Sequence, residues 1–417
     1  MMRSNRLDRQ LRIEGWNQQA LENAKIGVIG DNDLLASIYI MSASALGINH
    51  VLALAPELDP ILIEIAQNLN TRFNLTHIEG FFTHPVLAGL FKDLDFIVDL
   101  SQYGLGNKLL IEKGFRENTP VIRGLVYNAN GDQGVKVFSY LKGREWQELE
   151  QVISDPNLPN RHFDDAVLDI IISGIILEET KNLLMDRLPS DDLISYQRRK
   201  IILPDGQPSI LIVGSGALGI FVGLGLAYSG FRNLTFIDPD VIEITNLNRQ
   251  VLFYDAVGAY KAQTLSNRLN RLFGTDSHAV VGYFDKNRDI ASYDVVFDCV
   301  DNFESRIVLS EKCKHNGKIM ISGGTSAEAG QVVTYNPVDD TVTPAELLGL
   351  NDIIEKRDTA DGTAYQRERA ACIYQPDPSV IMTNQITAGF MVDSYKMLID
   401  GQKPLNIFYD STSSVRF

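Results

Sequence analysis

The chain has 417 residues, 45% apolar and 22% charged, the balance of a globular protein long enough for two ordinary domains. A formal net charge of −15 argues against an extended nucleic-acid surface and against adhesion to anionic membranes, so neither is expected as a partner. Three cysteines, Cys299, Cys313 and Cys372, without a CxxC pair, support neither a disulfide framework nor a thiolate zinc site; with a charged Met1–Gln10 start that lacks a secretory apolar run, a cytoplasmic setting is the default.

The first predicted strand, Lys25-Ile-Gly-Val-Ile-Gly30, runs into Gly30-Asp31-Asn32-Asp33-Leu34-Leu35, which puts two carboxylates where a phosphate would otherwise sit and should repel a nucleotide. Asp95-Phe-Ile-Val-Asp99 reads as a later strand ending in Asp, and the segment from Ile172 to Leu184 as a long closing helix. A polar stretch, Asp186–Pro208, divides the chain into expected domains 1–190 and 191–417. The same order then begins again. Ser209-Ile-Leu-Ile-Val-Gly214 matches the first strand, Asp294-Val-Val-Phe-Asp298 the second, and Ile386–Leu398 the closing helix. Tandem copies of strand, turn, helix and strand predict two α/β, doubly wound Rossmann-like domains. The uncharged run 210–231 is too broken by glycine to be a membrane span and reads as strand, turn and helix.

The copies differ where chemistry would lie. Gly214, Gly216 and Gly219 let the backbone turn tightly, approach a phosphate and aim free N–H groups at it. Asp238 closes the next strand, where a carboxylate can accept from ribose hydroxyls. Asn246, Arg249 and Gln250 follow, then Lys261 in the first turn of the next helix; cations and amides beside one glycine turn suit a triphosphate better than a nicotinamide cofactor. Alone, Arg249 and Lys261 would read as solvated charges, and Asn246 is as well placed for an Asx turn as for direct contact. Asp301 lies just past an apolar strand, at the edge where ligands bind, though Asp also caps helices there. In the first half the counterpart of Asp238 falls near Leu54 and that of Asp301 is Gln102. Cys299 and Cys313 read as core residues.

Together these residues, with Arg6-Leu-Asp-Arg-Gln-Leu-Arg-Ile-Glu-Gly-Trp16, Gly258-Ala-Tyr-Lys261 and Asp298-Cys-Val-Asp-Asn302 plus Arg306, resemble the ubiquitin-activating-enzyme-like (ThiF/MoeB/MccB) adenylyltransferase superfamily over essentially the whole chain. The resemblance implies an intramolecular pseudodimer in which a C-terminal carboxylate attacks the α-phosphate of ATP and pyrophosphate leaves. It implies Asp238 as ribose ligand, Asn246, Arg249 and Lys261 as phosphate ligands, and Asp301 as magnesium ligand. Arg9, the second arginine of an Arg-x-x-Arg-Gln helix in the inactive half, would be an arginine finger for the active half; Arg6 helps it or pairs with Asp8 or Glu14.

Departures from the family pattern matter too. The paired zinc-binding CxxC motifs are missing, so no zinc is expected. Cys372 follows Arg367-Glu368-Arg369 and precedes Asp377-Pro378-Ser379, which reads as a helix N-cap with proline at the first position; its thiol is either a covalent acceptor or incidental. The expected partners are a ubiquitin-like protein or small peptide, with a downstream acceptor or conjugating protein. The expected function is adenylation of that partner's C-terminus, followed by a thioester on Cys372 or, alternatively, by sulfur-carrier or peptide-antibiotic chemistry without one. An NAD-dependent oxidoreductase and a non-catalytic scaffold are the remaining alternatives.

Overall fold

In the computed structural model, which describes residues 5–31, 33–143, 149–154, 165–360, 377–413 and 416–417, two seven-stranded sheets repeat one strand order. The first half runs α1 (Gln18–Asn23), β1 (Lys25–Ile29), α2 (Asp33–Leu46), β2 (His50–Ala55), α3 (Pro60–Leu69), β3 (Asn74–Glu79), β4 (Phe96–Asp99), α4 (Gly104–Glu117), β5 (Val121–Ala129), β6 (Asp132–Tyr140), α5 (Ala166–Leu184) and β7 (Ile194–Arg199). The second half runs β8 (Ile210–Val213), α6 (Ala217–Tyr228), β9 (Asn233–Ile237), α7 (Lys261–Phe273), β10 (Asp276–Val280), β11 (Val295–Asp298), α8 (Phe303–Asn316), β12 (Ile319–Thr325), β13 (Ala329–Tyr335), α9 (Pro344–Leu347), α10 (Leu350–Ala360), α11 (Ile381–Ile399) and β14 (Ile407–Asp410). Their sheets are ordered β3-β2-β1-β4-β5-β6-β7 and β10-β9-β8-β11-β12-β13-β14. This is the tandem α/β, Rossmann-like plan that the repeated sequence predicts. The first sheet takes its last strand from β7, which lies past the expected division at 190.

The first five strands of each sheet are parallel and the last two antiparallel. Central strands β1, β4, β8 and β11 are short apolar runs buried on both faces, as parallel strands covered by helices must be. Register aligns the halves residue by residue. Ile29 pairs with Leu54 and Asp99, and Val213 pairs with Ile237 and Asp298, so Asp99 stands where Asp298 does and Ala55 stands where Asp238 does.

The closing helices α5 and α11 join the halves. Both are buried around nearly their whole circumference, which a one-sided surface helix never is. Gly174 lets Ile386 approach: a Cβ on Gly174 would lie 2.7 Å from Ile386 Cγ1, while one on Gly389 would lie 2.5 Å from Ile171 Cγ1. Each helix thus lends the other a glycine hollow for an isoleucine, the reciprocal pattern of a twofold interface folded into one chain. Gln385 Nε2 donates to the Ile170 carbonyl at 3.0 Å and Ser42 Oγ donates to Gln385 Oε1 at 2.8 Å, so the Gln385 amide buried in this seam is partnered at both ends.

Charges also cross it. Arg198 of β7 meets Asp393 of α11 at 2.8 Å and Asp165, the N-cap of α5, at 2.7 Å; Lys396 of α11 reaches Asp165 at 2.8 Å, and Tyr196 Oη donates to Asp393 at 2.7 Å. Arg198 therefore belongs to the interior, although the sequence reads it as part of a polar linker.

Two local expectations are corrected. The segment expected as an Arg-x-x-Arg-Gln helix, Arg6 to Trp16, is a series of turns closed largely by bonds between residues three apart, and Gly15 at φ +71° breaks any continuation into α1. Asp377 does not cap a helix: α11 starts at Ile381 with Val380 as N-cap, because the Asp377 and Ser379 carbonyls are taken by side chains from elsewhere, as follows below.

Candidate functional site

The ends of β8, β9 and β11 meet at the glycine turn. Gly214 has φ +99°, and a Cβ there would lie 2.4 Å from the Cys299 carbonyl oxygen, so the backbone beyond β11 presses directly on the turn. A Cβ on Gly219 would lie 2.0 Å from the Gly214 carbonyl oxygen. Both obstacles are backbone and cannot swing away. Gly216 is the N-cap of α6 and supplies no side-chain acceptor, so the first-turn amides of a helix that is apolar all round face the turn uncapped by a side chain. Replacing Gly219 with alanine should therefore cost at least about tenfold in nucleotide affinity while the fold persists, read by calorimetric titration with ATP. Unchanged affinity would remove the turn from the site.

Asp238 follows β9 and is buried. Its Oδ2 accepts the Ser215 N–H at 2.6 Å and its Oδ1 the Asp240 N–H at 2.8 Å, which fixes the carboxylate against the glycine turn. Burial raises its pKa, with Lys261 and those two amides opposing the rise; further donors such as ribose hydroxyls would relieve the strain on the ionised form. Lys261, at the start of α7, donates to Asp240 at 2.8 Å, so its charge is held at the rim by a carboxylate that sequence reading did not single out.

Residues 244–250 form tight 3₁₀-type turns. Asn246 Oδ1 accepts the Glu243 N–H at 3.0 Å and completes a capping box with Glu243, so it makes the local turn. Gln250 is buried, its Oε1 has no hydrogen-bond partner among the described residues, and its Nε2 lies 3.7 Å from where a Cβ on Gly216 would stand. Ser215 Oγ, on the turn itself, is likewise buried without a partner among the described residues. Unsatisfied polar atoms this close to the glycine turn fit a ligand rich in acceptors and donors.

Arg249 is the most informative side chain. It is buried, and its Nη1 donates to two neutral acceptors, the Thr245 carbonyl at 3.1 Å and Asn248 Oδ1 at 2.7 Å. No carboxylate lies within ion-pair distance of it among the described residues. Burial and the nearby Arg9 guanidinium push its pKa down to about 9, with Glu243 opposing. A guanidinium stays protonated at neutral pH, so Arg249 carries its charge in a buried setting where Arg9 adds to the positive potential and Glu243 opposes it only in part. Arg9, from the N-terminal segment of the other half, donates to the Asp377 carbonyl at 2.7 Å, and burial and Arg12 lower its pKa too. Two cations from the two halves therefore converge with no carboxylate in ion-pair contact with either among the described residues, Glu243 acting on both from farther off.

Arg6 does not pair with Asp8 or Glu14. It donates to the Ala45 carbonyl at 2.7 Å and the Ser44 carbonyl at 3.4 Å, while Asp8 pairs with Arg12 at 2.7 Å. Asp301 is exposed beyond β11, and Asn302, not Asp301, caps α8 by accepting from Ser305 N–H at 2.8 Å. Beneath them Arg306 lies 2.8 Å from the buried Asp298 and donates to the Val300 and Gly323 carbonyls at 3.0 and 2.6 Å, holding the floor of the site rather than facing a ligand. Burial drives the Cys299 thiol well up and Cys313 to about 12, which leaves both inert as nucleophiles. Cys372 lies outside the described residues.

In the first half the corresponding strand ends are bonded to the protein's own side chains and backbone. Asp31 accepts the Gln102 N–H at 2.6 Å, and buried Arg123 donates to the Val152 and Asp99 carbonyls at 3.0 and 3.1 Å and to Ser154 Oγ at 2.8 Å. Asp99 in turn accepts from Ser101 and Asn107.

Residues 206–407 match the model of the ThiF family. The chain is 32% identical over 212 residues to adenylyltransferase and sulfurtransferase MOCS3 of Drosophila sechellia, covering 46% of this chain and 47% of that one. It is 30% identical over 175 residues to adenylyltransferase and sulfurtransferase UBA4 of Candida albicans, covering 38% and 39%. Among solved structures it aligns with E. coli MccB in complex with AMPCPP and MccA at 21% identity and a TM-score of 0.41, over 49% of this chain and 61% of that one. The matches thus span less than half of the curated relatives' length. The similarity to the ThiF family therefore lies in the second half of the chain, over residues 206–407.

Proposed function

We propose that the second half binds ATP and magnesium and adenylates the C-terminal carboxylate of a ubiquitin-like protein or small peptide, in the cytoplasm, with the first half contributing Arg9. The observation that carries this reading is the pair Arg9 and Arg249, two cations from different halves with no carboxylate paired to either among the described residues. Such a pair suits an anion of high charge, and a pyrophosphate leaving group is one. In the reaction a carboxylate oxygen bonds to the α-phosphorus, the bond from that phosphorus to the bridging oxygen breaks, and pyrophosphate leaves with the electron pair. Arg9, Arg249 and Lys261 would offset its growing charge, Asp238 and the α6 amides would orient the nucleotide, and Asp301 would hold magnesium, which neutralises phosphate charge when bound.

A sulfur-transfer outcome is the second reading, favoured by the similarity to the adenylyltransferases and sulfurtransferases MOCS3 and UBA4. Thioester transfer to Cys372 is the other route from the same adenylate. The test is ATP–pyrophosphate exchange with candidate ubiquitin-like carriers and peptides, together with nucleotide stoichiometry. One ATP per chain is expected, with exchange appearing only with the cognate partner and Asp301→Ala lowering it on the order of 10²-fold. Cys372→Ala should leave exchange intact and remove any reductant-sensitive conjugate. Two nucleotides per chain, or exchange indifferent to Asp301→Ala, would overturn the assignment.

A further inference from the structure

We infer that Gln10 and Asn248 are positioning residues for the nucleotide phosphates: through them the first half sets the orientation of Arg249 in the second. This rests on the reading of the pocket as an ATP site.

Both side chains are fully buried. Asn248 Nδ2 donates to Gln10 Oε1 at 3.1 Å and to the Ser379 carbonyl at 3.0 Å, which uses both of its donors. Its amide is thereby fixed with Oδ1 turned to Arg249 Nη1, 2.7 Å away. Gln10 is fixed in the same manner. Its Nε2 donates to Gln18 Oε1 at 2.7 Å and to the Leu46 carbonyl at 2.8 Å, and Gln18 Oε1 also accepts from Trp16 Nε1 at 3.0 Å. Flipping either amide would set donor against donor, so the chain Leu46, Gln10, Asn248, Arg249 has one self-consistent arrangement.

The joint ties three segments distant in sequence: the N-terminal turns, the cationic loop, and the approach to α11. A guanidinium is planar, and its recognition of phosphate oxygens depends on the angle of that plane. With no carboxylate in ion-pair contact with it among the described residues, Arg249 takes its orientation from Asn248 and from the Thr245 carbonyl. Asn248 takes its own from the other half.

The test measures exchange kinetics, calorimetric binding of inorganic pyrophosphate and the unfolding midpoint for Asn248→Ala in two backgrounds. With Arg249 present, Asn248→Ala should weaken pyrophosphate binding and exchange by about tenfold or more. With Arg249→Ala it should add no further loss in pyrophosphate binding, because a residue that acts through Arg249 has nothing left to position. Gln10→Met, which keeps volume and removes the acceptor, should give a smaller loss of the same kind and guards against misfolding of the first variant. Wild-type affinity in both single variants, or equal losses in both backgrounds, would overturn the inference while leaving the ATP reading standing. A wild-type chain that binds neither ATP nor pyrophosphate would bring down both.

Discussion

Arg249→Ala should lower ATP–pyrophosphate exchange by about 10³-fold, and Arg9→Ala by a comparable factor, without lowering the unfolding midpoint of the ligand-free protein. The second half of that expectation is the sharper one. An ordinary buried arginine is neutralised by a carboxylate, and its removal strands a charge. Arg249 bonds only to neutral acceptors among the described residues and is repelled by Arg9. Removing either cation relieves the other, so the ligand-free variants should be as stable as the parent or slightly more so. Pyrophosphate or ATP should instead stabilise the parent, by about 2.7 kcal/mol at a hundredfold excess over Kd, and this gain should shrink sharply in each variant. Calorimetric unfolding with and without ligand measures both. A large loss of stability without ligand, or full exchange in either variant, would mean that the two arginines serve the fold and not an anion.

How much of this was legible in the sequence follows from what a linear pattern can carry. The duplicated plan was readable because apolar strands of fixed length recur in one order, and the register of Asp99 and Asp298 against their β1 and β8 partners agrees with it. The glycine turn was readable because only glycine fits where a Cβ would strike backbone. Arg9 and Arg249 stood out through family motifs, but that no carboxylate forms an ion pair with either among the described residues is a three-dimensional fact. Gln10 and Asn248 gave no signal of their own, since a neutral amide meeting another far along the chain leaves no periodicity. The N-terminal segment misled in a different way: its arginines and leucines have helical spacing, yet Gly15 and the Asn17 cap of α1 stop the helix from forming upstream. Asp377-Pro378-Ser379 has the composition of a cap, but its carbonyls are committed to Arg9 and Asn248, and α11 starts later.

The largest effect on stability should come from Asp393→Ala, at about 3–5 kcal/mol. Arg198 and Asp393 are both fully enclosed, one on the outer strand of the first sheet and one on the closing helix of the second half. Cutting the carboxylate away leaves Arg198 with Asp165 and Gln133, and deprives Tyr196 of the acceptor for its hydroxyl. The cost is the surplus buried positive charge, since Arg198 must then share Asp165 with Lys396, more than the lost attraction, so a double replacement, Asp393→Leu with Arg198→Met, should recover much of the loss. That recovery separates a buried pair kept for orientation from one needed for stability. The acid limb has its own sign. Burial opposes ionisation of Asp165, but Lys396 and Arg198 hold its pKa below the usual carboxylate value, so its contribution is complete above about pH 4 and disappears as pH falls through the lower folded value. Asp165→Asn should flatten that part of the stability profile. Denaturant midpoints at neutral and acid pH measure both effects; because α5 and α11 share one seam, the halves should unfold in a single transition. Two transitions, with only the second moved by Asp393→Ala, would show that the cluster decorates an interface already held by the glycine–isoleucine contacts.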